Sequence, residues 1–182
     1  MAAIPPVCDF GLSAPDFALP DTEGRIRTRD ELKGPKGLLV VFICNHCRYV
    51  KAIAGRLAAE GRALAALGFG VVAINANDPT DRAEDAPERM GPFARAHDFT
   101  FPYLHDATQE VARAYGAVCT PDFFGYNAAL ELQYRGRLDA SGREAAPDAP
   151  RELYAAMERI AATGRGPEAQ VASIGCSIKW RA

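Results

Sequence analysis

Leu38-Leu39-Val40-Val41-Phe42-Ile43 follows Gly37 as an unbroken apolar run. A run of this length, opened by glycine and rich in branched side chains, predicts a strand covered on both faces. Phe69 to Ile74 predicts a second such strand. Between them Val50, Ile53, Ala54, Leu57, Ala58, Leu64 and Ala65 fall on one helical stripe, with Gly68 placed to end the helix. Strand, helix and strand make a βαβ unit, since parallel strands need such a crossover. Gly55 and Gly61 lie inside the helix, where each weakens it by roughly 1 kcal/mol relative to alanine, so a bend or close packing is expected there.

Outside this unit the pattern is weaker. Pro5, Pro6, Pro15 and Pro20 exclude a helix or central strand from the first 20 residues, which read as an irregular lead-in. Asp21-Thr22-Glu23-Gly24 predicts a turn before a short strand at Arg25-Ile26-Arg27, and Thr28 is placed to cap a brief helix over Arg29 to Leu32. Asp78 to Glu88 carries five acidic residues and two prolines and reads as a surface loop. Helices are expected over Pro87 to His97 and Thr108 to Tyr115, with an extended piece from Thr100 to Leu104 between them. Phe123 to Tyr126, a polar turn around Asn127, and the alternating Leu130 to Tyr134 predict an antiparallel hairpin. A last helix over Arg151 to Ala162 buries Leu153, Met157 and Ile160.

The order predicts an α/β fold with a mixed central sheet flanked by helices. We read residues 1–182 as a single domain, its core over about 15–163, with a C-terminal extension over 164–182. Apolar residues at 48% and charged residues at 24% suit a compact globular chain. With 21 basic against 23 acidic side chains, no broad positive field exists to attract nucleic acid or anionic lipid, so neither is an expected partner. No stretch approaches the apolar length of a membrane span, and Met1 to Pro6 lacks the regions of a signal peptide; a cytoplasmic location is the expectation. Five cysteines, an odd number, argue against a disulfide framework and leave some reactive or simply buried. Nothing in the pattern sets an oligomeric state.

The candidate chemistry lies in Cys44-Asn45-His46-Cys47, directly after the buried strand and where the amphipathic helix begins. A spacing of three brings two sulfurs to one side of a helical turn, within disulfide reach. The free N–H groups and positive end of the helix favour a thiolate there. Cys44, expected to be the better exposed, is assigned as the nucleophile, and Cys47 as the thiol that resolves the mixed disulfide. His46 adds positive charge or a donor, which would make the couple oxidising, or simply sits on an exposed turn. No metal or other cofactor is required by this chemistry.

With Cys119-Thr120-Pro121-Asp122-Phe123-Phe124, the motif Phe42-Ile43-Cys44-Asn45-His46-Cys47 resembles the thioredoxin superfamily, specifically its peroxiredoxin-like, AhpC/TSA-type redoxin branch. The similarity runs from about Pro15 to Cys176-Ser177-Ile178-Lys179-Trp180. It implies a thioredoxin fold in which Pro121 is cis and faces the dithiol, and the backbone of Thr120 pairs with an extended substrate segment. It further implies thiol-disulfide exchange with a disulfide-containing protein or small thiol. Leu38 stands where thioredoxin proper carries a buried acid, which leaves proton transfer from Cys47 to water or His46. The peroxidatic pattern of true peroxiredoxins fails in both registers, with Val40 or Gly37 at its proline and Cys44 or Val41 at its hydroxyl. Thiol peroxidase activity is therefore the alternative reading. A third is zinc or copper(I) binding by Cys44, Cys47, His46 and Cys119. Cys119 is otherwise a further exchange thiol, and Cys176 either a resolving thiol for a second subunit or an inert buried side chain.

Overall fold

The computed structural model describes residues 2–181. Its centre is a five-stranded mixed sheet whose edges are β6 (Tyr103–His105) and β9 (Leu132–Tyr134), in the order β6-β5-β4-β8-β9 with β4, β5 and β8 inside. β4 (Gly37–Phe42) lies in the middle, parallel to β5 (Phe69–Asn75) and antiparallel to β8 (Asp122–Tyr126). All six β4 residues are buried, as the uninterrupted apolar run requires. Leu39, Val41 and Ile43 enter a core closed by α2 (Arg48–Ala66) and α5 (Glu152–Thr163). Leu38, Val40 and Phe42 enter a second core on the opposite face. There the rings of Phe42, Tyr115 and Phe124 meet edge-on, with centroids 5.6 to 5.8 Å apart.

α2 buries the predicted stripe except Ala65, which is exposed, and ends before Gly68, which has φ +97°. Gly61 is a site of close packing: a Cβ there would stand 2.5 Å from the Phe101 ring, whereas Gly55 faces open space. The lead-in is not wholly irregular. It forms two short edge strands, β1 (Ala2–Ala3) and β2 (Ala18–Pro20), the latter paired with β3 (Ile26–Thr28). Thr28 caps α1 (Arg29–Leu32), its hydroxyl accepting from the Glu31 N–H at 3.2 Å. α3 (Pro87–Ala96), β6 (Tyr103–His105) and α4 (Glu110–Ala114) fall within or close to their predicted spans.

The hairpin of β8 with β9 (Leu132–Tyr134) is present, but alternation fails to sort β9 into an inner and an outer face. Leu132, Gln133 and Tyr134 are all buried. The lead-in lies along the strand, with the Leu132 N–H donating to Leu12 O at 2.8 Å and Gly11 N–H to Leu132 O at 2.9 Å.

The C-terminal extension holds a strand that no sequence pattern announced. β10 (Gly175–Ser177) is the middle member of a small sheet, β1-β10-β7, in which β7 is Cys119–Thr120. The tail is fastened on both sides of it. The Ser173 hydroxyl donates to Pro121 O at 2.7 Å, and the Gln109 side-chain amide donates to Lys179 O at 2.8 Å while accepting from the Arg181 N–H at 2.9 Å. Among the described residues no helix is long and apolar enough to cross a membrane.

Candidate active site

β4 ends at Phe42, and residues 43–47 cross from the sheet to the helix. Cys47 is the N-cap of α2, so only it sits at the helix mouth. Cys44 precedes the helix, and the two thiols meet across the intervening loop rather than across a helical turn. The Thr120-Pro121 bond is cis, and Thr120 bridges the pair. Its hydroxyl lies 3.1 Å from Cys44 Sγ, and its carbonyl accepts from Cys47 Sγ at 3.1 Å. The structure thus brings Cys44, His46 and Cys47 together with Thr120 and Pro121, which follow more than 70 positions later in sequence.

Two expectations are corrected. Cys44 is not the better exposed thiol: both cysteines are at 0% exposure. Nor is the helix terminus Cys44's. Burial, the neighbouring Cys47 thiol and the Asp85 charge push the Cys44 thiol well above its ordinary range. The Cys44 thiol draws Cys47 down, against burial, and is helped by the Cys176 thiol and the Val50 N–H of the first helical turn. The Thr120 carbonyl opposes ionisation, since it accepts only from a protonated Cys47. The direction is opposite for the two thiols, Cys44 raised and Cys47 lowered.

The second correction concerns the acidic segment read as a surface loop. Asp85 ends a single 3-10 turn, Ala83–Asp85, and is completely buried beneath the dithiol loop. Its Oδ1 accepts the N–H groups of Asn45 at 2.8 Å and His46 at 3.0 Å. Its Oδ2 meets His46 Nδ1 at 2.5 Å and accepts from the Asn77 amide at 2.8 Å. Burial alone would raise this carboxyl, yet the His46 ring, the Asn77 amide and the His46 N–H hold it below the usual carboxylate range. Asn45 completes the attachment, donating to Glu84 O at 2.8 Å and accepting from the Tyr103 hydroxyl at 3.0 Å. Sequence reasoning missed Asp85 because its partners lie about forty residues away, as does its function of holding the dithiol loop.

His46 does not sit idle on an exposed turn. Its Nδ1 lies 3.5 Å from Cys44 Sγ as well as against Asp85. Because one nitrogen faces both groups, the ring donates to Asp85 and presents the edge of that same N–H to sulfur. It is a fixed donor, not a relay with a separate nitrogen for each partner. A buried acid does stand near the dithiol, but from another segment: Asp85, while Leu38 lies in the sheet opposite Tyr126.

Cys44, His46 and Asp85 each offer a ligand atom within 4.8 Å of the other two. The 2.5 Å contact between imidazole and carboxylate is that of a hydrogen bond, shorter than the roughly 3 Å between two ligands of one zinc ion. Cys119, expected as a further ligand or exchange thiol, turns toward Pro121 O at 3.5 Å, and burial pushes its thiol far up. Cys176 is half-buried and packs against the core cluster that holds Cys47, with β10 lying against α2.

A further correction concerns Thr120. Its backbone edge, expected to pair with a substrate segment, is taken by the chain's own β10, where Cys176 stands opposite Thr120 in antiparallel register.

Residues 10–141 match the model of the AhpC/TSA family. The chain belongs to the AhpC/TSA family. With its mixed sheet and flanking helices, this places it in the thioredoxin superfamily, on the redoxin branch. Over 114 residues this AhpC/TSA chain is 29% identical to a protein described as thiol-disulfide oxidoreductase ResA, from Geobacillus thermodenitrificans strain NG80-2. The aligned part is 63% of this chain and 61% of that relative. Two solved structures superpose with a TM-score of 0.93. One, an uncharacterized conserved protein from Geobacillus kaustophilus, is 39% identical and covers 100% of this chain and 97% of its own. The other, a hypothetical protein from Sinorhizobium meliloti 1021, is 41% identical and covers 98% of both. The fold is shared with the thioredoxin domain of a thiol-disulfide oxidoreductase from Bacteroides vulgatus, at a TM-score of 0.63 and 17% identity over 84% of this chain and 97% of that one.

Proposed function

We propose that the protein is a thiol-disulfide oxidoreductase, acting on a disulfide-bearing protein or small-thiol disulfide through the Cys44/Cys47 couple. The observation that carries this reading is one pair of thiols at either end of the short loop that leads into a long helix, with Thr120 held against both sulfurs. The name of the ResA relative agrees with it.

The placement of charge reverses the assignment made from spacing alone: Cys47, at the N-cap, is the nucleophile, and Cys44 resolves. The Cys47 thiolate attacks a partner disulfide RS–SR′, forming Cys47–S–S–R and releasing R′S⁻. Cys44 then loses its proton, which the released thiolate takes up. Its sulfur attacks Cys47, closing the Cys44–Cys47 disulfide and expelling RS⁻. Two electrons pass from the protein to the partner. Burial requires local opening before either sulfur meets a partner.

The test is equilibration against glutathione redox buffers, with alkylation and peptide mass spectrometry at each potential. A Cys44–Cys47 disulfide forming as one two-electron couple is expected, together with alkylation of the reduced protein at Cys47 below pH 7 and at Cys44 only in alkali. Alkylation of both cysteines across the whole range would overturn the reading. Sustained hydrogen peroxide consumption coupled to a thiol reductant would make the protein a peroxidase instead.

A further inference from the structure

Cys176 is the thiol the couple leaves unused. It stands directly opposite Thr120 in the antiparallel pairing of β10 with β7, so the two side chains leave the small sheet on the same face. The Thr120 hydroxyl on that face touches Cys44 Sγ, and the Thr120 carbonyl touches Cys47 Sγ. Cys176 packs against the core cluster that contains both cysteines, and β10 lies against α2. Three sulfurs therefore surround one threonine. The neighbouring residue must be glycine for this approach, because a Cβ at position 175 would fall 2.0 Å from Thr120 O.

The tail bonds hold Cys176 in place from both sides. They fix a thiol at this point rather than hang a loose cover over it. Of the three sulfur-bearing residues, only Cys176 is partly exposed.

We propose that Cys176 is a third redox thiol of the same site, the intrachain exchange partner of Cys47 that carries the disulfide from the buried dithiol to the surface. This rests on the Cys44/Cys47 couple described above. The Cys176 thiolate attacks Cys47 Sγ of the Cys44–Cys47 disulfide, forming Cys47–Cys176 and releasing Cys44 as a thiolate, which takes up the proton that Cys176 lost. The step is an isomerisation, with no net oxidation. An external thiolate RS⁻ then attacks the sulfur of Cys176, the partly exposed residue of the three, forming Cys176–S–S–R and expelling Cys47 as a thiolate. A second RSH gives RSSR and regenerates the Cys176 thiol, so two electrons enter from two external thiols. Charge bears on both steps. Burial and interaction with Cys47 raise the Cys176 thiol to about 11, and the Cys44 thiol is raised as well. Cys47, drawn down, is the better leaving group when the external thiolate attacks Cys176.

Cys44→Ser tests this in glutathione disulfide, with non-reducing peptide mapping. The expected product is a Cys47–Cys176 linked peptide holding more than half of Cys47. Cys47 left glutathionylated or free, with Cys176 unlinked, would overturn the proposal. Cys176→Ser, in parallel, should still close Cys44–Cys47; its failure to do so would count against the dithiol couple itself, a separate result. Should Cys44→Ser not fold, the native chain poised at half-oxidation serves in its place. A measurable Cys47–Cys176 fraction there supports the relay, and Cys44–Cys47 alone rejects it.

Discussion

Asp85 shows at a single residue how the site is held. It is completely buried and accepts from two backbone N–H groups, an imidazole and an amide. Its carboxyl is held below the ordinary range, so the unfolded chain binds its proton more readily than the folded one. The stability it contributes is therefore fully present above the unfolded value of about 3.9 and is lost as pH falls through the lower folded value. Asp85→Asn should cost about 1–3 kcal/mol at pH 7, the penalty for donors left without their acceptor. The gap between variant and native chain should narrow as pH drops below about 4. Urea unfolding at pH 7 and at pH 3 measures both; an equal gap at the two values would show that the carboxylate charge is not what matters. The same variant removes the partner of His46 and should slow glutathione exchange more than it changes which cysteines pair.

At the scale of elements, α2 carries the dithiol and tests packing against propensity. Two glycines interrupt the same helix, and helix propensity alone predicts that alanine at either stabilises by about 1 kcal/mol. Position 55 faces open space, so Gly55→Ala should raise stability by about 0.5–1 kcal/mol. Position 61 faces the Phe101 ring, so Gly61→Ala should destabilise by about 1–3 kcal/mol through overpacking. Thermal unfolding of the two variants checks this directly, and shifts of the same sign would refute it. These residues also show what was legible in sequence. The β4 run and the α2 stripe were readable because burial on both faces, or on one helical face, leaves a local periodic trace. β9 was legible as a strand but not as a buried one, because residues 11–12 line Leu132 and the Gly166 to Gln170 segment covers Gln133. β10 left no trace: three residues, Gly175-Cys176-Ser177, are too few for a period, and their pairing partners lie at the other end of the chain and beside Pro121.

On the scale of the whole molecule, the tail closes the site. Gln109 is buried and ties the last strand to the main sheet, donating to Ala76 O at 2.6 Å and to Lys179 O, and accepting from the Arg181 N–H. Gln109→Ala should cost about 1–3 kcal/mol, since Ala76 O and the Arg181 N–H lose their partner and Lys179 O keeps only the Asp78 N–H. It should also raise amide exchange over residues 175–179 and speed alkylation of Cys44 and Cys47, both now covered. Hydrogen exchange with mass spectrometry and timed alkylation read these outcomes. Unchanged alkylation alongside faster exchange would mean that the dithiol opens by a route other than the tail.

The sequence determined the strand-helix-strand unit and the place of the dithiol between strand and helix, because each is written in contiguous residues whose spacing matches a backbone period; that the Thr-Pro faces the dithiol came only from the family resemblance. Tertiary structure decided which sulfur takes the helix terminus, which acid lies beneath the loop, and what occupies the edge of Thr120. Those outcomes depend on burial and charge between residues tens of positions apart. Such interactions act through distance in space, which the order of residues along the chain does not record.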